Sequence, residues 1–286
     1  MTVDAALVEQ IQAAQNELDP RFSALRKATG ALKQAAKLAA EEKPDALTMQ
    51  KALAKLQQAA ELLDDATLHS AVRTFADATQ AALDSLAFAF AHDLRDAFAA
   101  RGITVDGRPP TLVIGDLVLQ IDIGARKATW FYGKEALTRP LPLTVSGLLK
   151  AYDQQRKEII ARDIDVPAFM AEVYKAWSDL MDERARRGGR INIVEVYSKL
   201  TLNRQSARFW NSPARSTFKD YPRPLFVRDL VLARHAPVAL VDGREHELRL
   251  GVATKSQADS AQRSVWLPIS ALDGEYYADL TFQADS

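Results

Sequence analysis

The spacing of apolar residues changes near residue 103, and this change constrains the fold more than any other feature of the chain. From residue 3 to 101 apolar residues recur every three or four positions, which is the period of a helix. Beyond residue 103 stretches appear in which they recur every second position, as in a strand with one buried face. We therefore predict an α+β protein: an N-terminal antiparallel helical bundle or coiled coil, a β-hairpin region, then a helical segment of winged-helix-like character and an antiparallel sheet.

The helical region, residues 1–102, contains several near-heptad apolar seams. The first seam consists of Leu7, Ile11, Ala14, Leu18, Phe22 and Leu25. Asp19-Pro20 indicates either a helix N-cap or a kink, Lys43-Pro44-Asp45 indicates a helix boundary, and Gly102 ends the last helix. Two interpretations remain open: a self-contained bundle of three or four helices, or an arm that pairs with a partner protein or a second copy.

Residues 103–142 have the period of strands and form a predicted connector. Alternation over 117–123 and 128–132, with the turn Gly124–Arg126 between them, predicts a hairpin. Residues 112–114 are a candidate third strand, and Pro140 and Pro142 close the region.

Residues 143–286 begin as helices and end as strands. Asp165 is predicted to cap a helix with Pro167 in its first turn. Two short segments follow, Ile191–Leu200 and Asn203–Trp210, separated by Thr201-Leu202. Strands are predicted near 225–233, 237–241, 245–253, 264–269 and 276–283, and Asp242-Gly243 is a strong hairpin-turn signal.

Charge is distributed very unevenly along the chain. Residues 184–234 carry twelve Lys and Arg against three acidic residues, whereas the chain as a whole has 37 of each sign. The rest of the chain therefore holds 25 basic and 34 acidic residues, so a segment of charge +9 lies in a remainder of charge −9. A polyanion is a natural partner for such a segment, although the acidic remainder competes for the same arginines.

The order of elements around this segment is that of a winged helix-turn-helix, with the Asp242-Gly243 hairpin as the wing. If Asn203–Trp210 is a helix, Arg204 and Arg208 project on the same side, beside two amides that are able to pair with base edges. The predicted nucleic-acid-binding residues are Arg186, Arg187, Arg190, Asn203, Arg204, Gln205, Arg208, Arg215, Lys219 and Arg223. Ser and Thr residues in the same segment are candidates for phosphate contacts.

Aromatic residues interleave with these basic residues, and exposed ones would stack on unpaired bases. Phe209 and Trp210 are adjacent, so at most one of them points inward from a helix. Phe218 and Phe226 are predicted to be core residues.

Catalytic signals are sparse. The chain has no cysteine, which excludes disulfides, thiolate nucleophiles and Cys-based zinc sites, and it contains no P-loop, dinucleotide-binding turn or nucleophile elbow. A metal-dependent nuclease would need converging carboxylates and a lysine. The stronger candidate set is Asp242, Glu245, Glu247 and Lys255, and the weaker is Asp116, Asp122 and Lys127. We predict no catalytic residue, metal or cofactor.

The leading hypothesis is a non-enzymatic nucleic-acid-binding subunit of a larger assembly, with DNA or RNA as one partner and another protein, or a second copy, at the N-terminal helices. The alternatives are an assembly protein without nucleic-acid contact, and a nuclease. No apolar run has the length of a membrane helix and the N-terminus does not resemble a secretory signal, so we expect a cytoplasmic protein without a membrane partner. We interpret the Ala- and Arg-rich composition as bacterial in style.

Overall fold

The computed structural model describes residues 5–42, 44–184 and 189–284. The protein is α+β, as predicted, with long N-terminal helices and antiparallel sheets. The chain divides into two compact units: one extends to Leu94 and includes Asp122–Arg126, and the other comprises Arg95–Ile121 and the chain from Lys127 onward. The three-part division at residues 102 and 142 stays a prediction.

The first unit is built from helices α1 (Ala5–Ala39), α2 (Ala46–Ala60) and most of α3 (Ala66–Ala99). Asp45 caps α2 by accepting the Thr48 N–H at 2.7 Å, and the start of α2 at Ala46 agrees with the helix boundary predicted at Lys43-Pro44-Asp45. The core joins all three helices and is rich in alanine, which lets helices approach closely. Its members include Ala28, Ala31, Ala35, Met49, Ala52, Leu56 and Phe75.

The first half of α1 lies outside this core. The seam that begins at Leu7 is exposed as far as Leu25, whereas Ala28, Ala31 and Ala35 farther along the helix are buried. The interpretation of Asp19-Pro20 as a helix start is wrong, because Pro20 lies inside a continuous α1. Proline lacks an N–H, so this position costs the helix one backbone hydrogen bond.

The first sheet contains β1 (Asp106–Arg108), β2 (Thr111–Ile114), β3 (Leu117–Asp122), β4 (Lys127–Tyr132), β5 (Glu135–Ala136) and β6 (Leu141–Pro142). Its order is β1-β2-β3-β4-β5, with β6 also beside β4. The predicted hairpin and third strand are confirmed, and β1 adds an unpredicted edge strand. Phe98, Trp130 and Tyr152 pack together, with the Phe98 and Tyr152 rings 4.9 Å apart, and form the core beneath this sheet.

The rest of the second unit alternates helices and strands. It begins with α4 (Val145–Gln155), a π-turn (Arg156–Ile160), α5 (Val166–Arg184), β7 (Ile191–Asn192), α6 (Ile193–Asn203), α7 (Ala207–Asn211) and α8 (Arg223–Ala233). It ends with β8 (Val238–Val241), β9 (Arg244–Val252), α9 (Lys255–Ala258), β10 (Val265–Pro268) and β11 (Gly274–Ala284). The second sheet has the order β10-β11-β9-β8, with β7 also on β11. Helices α5, α6 and α8 pack on this sheet.

The strand predicted over 225–233 is wrong, because α8 occupies these residues. Phe226, Val227, Leu230 and Ala233 are spaced one, three and three apart and share one buried helical face. Pro224 lies in the first turn, where its missing N–H costs nothing. The other four predicted strands are present, and the Asp242-Gly243 turn has positive φ at both residues, +51° and +74°, as a tight type I′ hairpin requires.

The buried indole of Trp266, on β10, lies where the two sheets of the second unit meet. It packs against Gly133, between β4 and β5, so closely that a Cβ there would overlap the ring. Gly133 also has a positive φ of +58°, which other residues adopt only with strain. A Cβ on Gly274, the first residue of β11, would lie 2.5 Å from the same indole. Glycine at both positions therefore makes room for the tryptophan.

None of the helices in the described part of the chain combines the length and the apolar character that a membrane crossing requires.

Candidate nucleic-acid interface

The basic segment separates into a buried part and an exposed part. Helix α6 runs through Thr201 and Leu202 to Asn203, and α7 begins only at Ala207. Arg204 is the C-cap residue of α6, so the prediction that Arg204 and Arg208 project from one helix is wrong. We call residues 206–219 the basic loop, and Asn203, Arg204, Gln205 and Tyr221 the neck of that loop.

Gln205 closes the neck. Its side chain is buried, and its amide nitrogen donates to the carbonyl oxygens of Thr201 at 2.7 Å and Lys219 at 2.9 Å. Its amide oxygen accepts the N–H of Lys219 at 2.8 Å. One side chain thus holds the two ends of the basic loop together. The amide group predicted to read base edges is already used within the protein.

Arg204 and Asn203 also bind inside the protein. The Arg204 guanidinium donates twice to Oε2 of Glu172, at 2.5 and 2.9 Å, and lies 3.9 Å from the centre of the Tyr221 ring. Asn203 donates to Asp179 at 2.9 Å. Glu172 and Asp179 are seven residues apart on α5 and so lie on one face of that helix. This face of α5 therefore supplies the carboxylates that bind Asn203 and Arg204 of the neck.

Asp229 of α8 binds side chains from two loops, Arg162 and Tyr221. It is 1% exposed, and its two oxygens accept from Arg162 at 2.6 and 3.0 Å. The Tyr221 hydroxyl donates to it at 2.7 Å, and the Tyr221 carbonyl accepts from the hydroxyl of Tyr197 at 2.6 Å. Burial raises the pKa of Tyr221 strongly, and the neighbouring Asp229 carboxylate adds to the effect. The hydrogen bond to Asp229 raises the pKa of Arg162. This cluster fixes the chain immediately after the basic loop.

Two further arginines of the basic segment are structural. Arg223 donates to Glu135 at 2.8 Å and to the carbonyls of Ser264, at 2.8 Å, and Ala261. Burial raises the pKa of Glu135, and Arg223 opposes that shift. Arg228 donates to the Tyr132 hydroxyl at 3.2 Å and to the Ile160 carbonyl at 3.0 Å. These bonds connect α8 to the first sheet and to the end of the π-turn.

The basic loop presents the other part of the segment to solvent. Between residues 206 and 219 it contains three basic residues and no acidic residue, and Arg208, Arg215 and Lys219 are all exposed. Ser206 caps the short α7, and the Thr217 hydroxyl donates to the Ser212 and Ala214 carbonyls at 3.0 Å. The loop therefore has a defined internal structure of its own.

Aromatic rings cluster on the same loop. The Phe209 ring lies 5.3 Å from that of Trp210 and 5.6 Å from that of Phe218. Trp210 is 57% exposed, which agrees with the expectation that one of the two adjacent aromatics faces solvent. Phe218 was predicted to be buried but is 38% exposed, because it packs on Phe209 at the surface; Phe226 is buried as predicted. The basic loop thus carries exposed aromatic surface as well as its three basic side chains.

Three predicted binding residues lie before α6. Arg190 is exposed, and Arg186 and Arg187 lie outside the described residues. The sequence reasoning did not find the roles of Gln205 and Asp229. No local sequence pattern marks either role, because Gln205 binds Lys219, 14 residues away, and Asp229 binds Arg162, 67 residues away.

The candidate nuclease sets do not converge. Glu245 and Glu247 are two apart on β9, but Glu247 pairs with Arg249 at 2.6 Å. Asp122 accepts the Ala125 N–H at 2.8 Å and so stabilises the hairpin turn. Within residues 5–42, 44–184 and 189–284, no group of three or more His, Asp or Glu side chains is arranged to hold a metal ion.

Comparison of the chain with protein-family models, with curated proteins and with solved structures gave no match.

Proposed function

We propose that the protein is a non-enzymatic, cytoplasmic, nucleic-acid-binding subunit of a larger assembly, and that its basic loop binds single-stranded DNA or RNA. One observation carries the proposal: exposed Trp210 shares with exposed Arg208, Arg215 and Lys219 a 14-residue loop, 206–219, that contains no acidic side chain. Arginine and lysine neutralise phosphates, and an exposed indole stacks on any base without regard to sequence.

Single strands suit this loop better than a duplex. The residues that would have read base edges in a major groove, Arg204 and Gln205, are held by Glu172 and by Lys219. The exposed aromatic side chains are able to stack on bases only where the bases are unstacked and accessible, as in a single strand. The neck holds the loop in one shape, which lowers the entropy that binding costs.

The test is fluorescence anisotropy with the full chain, a labelled single-stranded oligonucleotide and a duplex of the same sequence, at several salt concentrations. We expect tighter binding of the single strand. Trp210→Ala should weaken binding by about 1–3 kcal/mol, and Trp210→Phe should restore part of the loss because a ring is retained. Phe88→Ala is the matched control, because Phe88 is a similarly exposed aromatic residue on α3 of the first unit.

The phosphate contacts have their own test. Replacing Arg208 and Arg215 together by alanine should lower the slope of log affinity against log salt by about 0.7 for each lost contact to a single strand. Arg73→Ala, at an exposed arginine of α3, should leave the slope unchanged. If the full chain binds neither oligonucleotide at low salt, the proposed function is wrong.

A further inference from the structure

The second half of α1 and the whole of α2 carry only positive charge. Residues 21–39 contain five basic residues and no acidic one, and α2 contains two basic residues and no acidic one. Helix α3, in contrast, has two basic and four acidic residues. Like charges four residues apart destabilise a helix, and Lys33 with Lys37 and Lys51 with Lys55 have this spacing. Helix stability therefore does not explain the uniform charge.

This positive charge is not neutralised by other parts of the described chain. Arg21 pairs with Glu17 at 3.6 Å, and both side chains are exposed. Among the described residues, no ion pair involves the other six cations, which are Arg26, Lys27, Lys33, Lys37, Lys51 and Lys55. All six are exposed, so they are available to a ligand.

Two of the lysines line a groove between α1 and α2, and two more extend the row. The groove has a volume of about 460 Å³, and its polar lining consists of Lys27, Gln34, Lys55 and Gln58. Lys37 lies on the same face of α1 as Lys27, and Lys51 lies one turn before Lys55 on α2. We define the helical basic face as Lys27, Gly30, Gln34, Lys37, Lys51, Lys55 and Gln58.

Gly30 lines the same groove, and its neighbours in the described chain do not require a glycine. It lies inside α1, and a Cβ added there would meet nothing within 4 Å. Glycine inside a helix lowers stability relative to alanine. A glycine that internal packing does not require is consistent with a ligand that approaches the helix backbone closely.

We propose that the helical basic face binds the phosphate backbone of a nucleic acid, as a contact separate from the basic loop. This inference rests on the proposed function, from which it takes the class of ligand. The row from Lys27 to Lys37 extends about 15 Å along α1. One strand of DNA presents about four charges over that length, so a polyanion matches the row better than a single carboxylate does. The face has no aromatic side chain, so it contacts phosphates and does not stack on bases.

Fluorescence anisotropy tests this face in a full chain whose basic loop is disabled by Arg208→Ala, Trp210→Ala and Arg215→Ala. We expect this loop variant to keep measurable binding of a labelled single strand at low salt. Adding Lys27→Gln and Lys55→Gln should weaken the remaining binding at least about tenfold. The slope of log affinity against log salt should fall by about 1.4, which is about 0.7 for each lost contact.

The matched control removes the same charge elsewhere. Lys150→Gln with Lys157→Gln, at exposed positions of the second unit, should leave the binding of the loop variant unchanged. If the loop variant does not bind, or if the Lys27 and Lys55 substitutions change nothing, the inference is wrong and the proposed function stands. If the wild type does not bind, both are wrong. If labelled polyglutamate binds the loop variant as tightly as the oligonucleotide, the face binds acidic protein and the proposal is overturned.

Gly30→Leu tests the groove by shape and not by charge. Leucine is a better helix former than glycine, so the urea midpoint should rise. Its side chain also occupies the groove, so binding by the loop variant should weaken. Ala36→Leu, at an exposed position on another side of α1, should leave this binding unchanged. Undiminished binding by the Gly30 variant would show that the ligand does not enter the groove, and the proposal would fail.

Discussion

The neck and the basic loop use the same types of residue in opposite ways. In the neck, Arg204 lies against Glu172 and the Tyr221 ring, and Gln205 is buried. In the loop, Arg208 and Trp210 face solvent only a few residues away. Arg204 is bound by a carboxylate within the protein, whereas the loop around Arg208 contains no acidic residue. A count of basic residues in a sequence therefore does not show how many of them are available to a ligand. Of two arginines four residues apart, one stabilises the fold and the other is exposed for binding.

The largest loss of stability is expected from a substitution in the buried cluster around Asp229. Asp229→Ala removes the carboxylate that accepts from Arg162 and Tyr221, and so leaves a partly buried guanidinium and a buried hydroxyl without that partner. We expect a loss of about 3–5 kcal/mol in the free energy of unfolding, measured by urea denaturation. Asp220→Ala, at an exposed position, should change it by less than about 0.5 kcal/mol. Similar losses in the two variants would contradict the division into buried and exposed parts.

A smaller loss of stability is expected from a substitution at Gln205, which joins the neck to the basic loop. Gln205→Ala removes the side chain that bridges Thr201 and Lys219, at a cost of about 1–3 kcal/mol in stability. Because this bridge holds the loop ends together, the amides of residues 206–219 should also exchange hydrogen faster, as mass spectrometry would detect. Ser216→Ala, at an exposed loop position, is the control. Unchanged exchange in the Gln205 variant would show that the loop keeps its shape without the neck.

The smallest effect concerns pH. Burial raises the pKa of Tyr221 above its ordinary value of 10.0, so the folded state favours the neutral phenol. The contribution of Tyr221 to the free energy of unfolding is fully present below pH 10. As pH rises above the unfolded pKa, this contribution falls by about 1.4 kcal/mol per pH unit for one group. Urea denaturation between pH 8 and about 11 should therefore show a shallower decline for Tyr221→Phe than for the wild type. Parallel declines would mean that Tyr221 ionises in the folded protein as easily as in the unfolded one. Spectrophotometric titration at the phenolate band gives an independent check.

Local rules recovered most of the fold from sequence. The helix boundary at Lys43-Pro44-Asp45, the turn at Asp242-Gly243 and the alternation of β3 and β4 depend on residues a few positions apart. Helix α8 was misassigned as a strand because its run of apolar residues has no clear single period, and only the surrounding packing decides between helix and strand.

The candidate site was less accessible to such reasoning. The pair of Arg204 with Glu172 spans 32 residues, and the pair of Arg162 with Asp229 spans 67. Nothing in the spacing of these residues determines which charges meet, because the packing of α5, α6 and α8 brings them together. The basic and aromatic content of residues 206–219 was visible in the sequence, whereas its separation from the neck was not.

The arrangement of Trp266 between Gly133 and Gly274 has a consequence for how this chain varies in evolution. A side chain at either glycine position needs the space that the indole fills. The three positions are therefore coupled, and a first substitution at any one of them either creates a clash or leaves a void. Natural variants should keep both glycines even where the tryptophan changes, because a Cβ on Gly274 would also overlap the Leu267 carbonyl oxygen and Gly133 has a positive φ. The junction of the two sheets should accordingly change more slowly than the basic loop, whose exposed positions are free to vary one at a time.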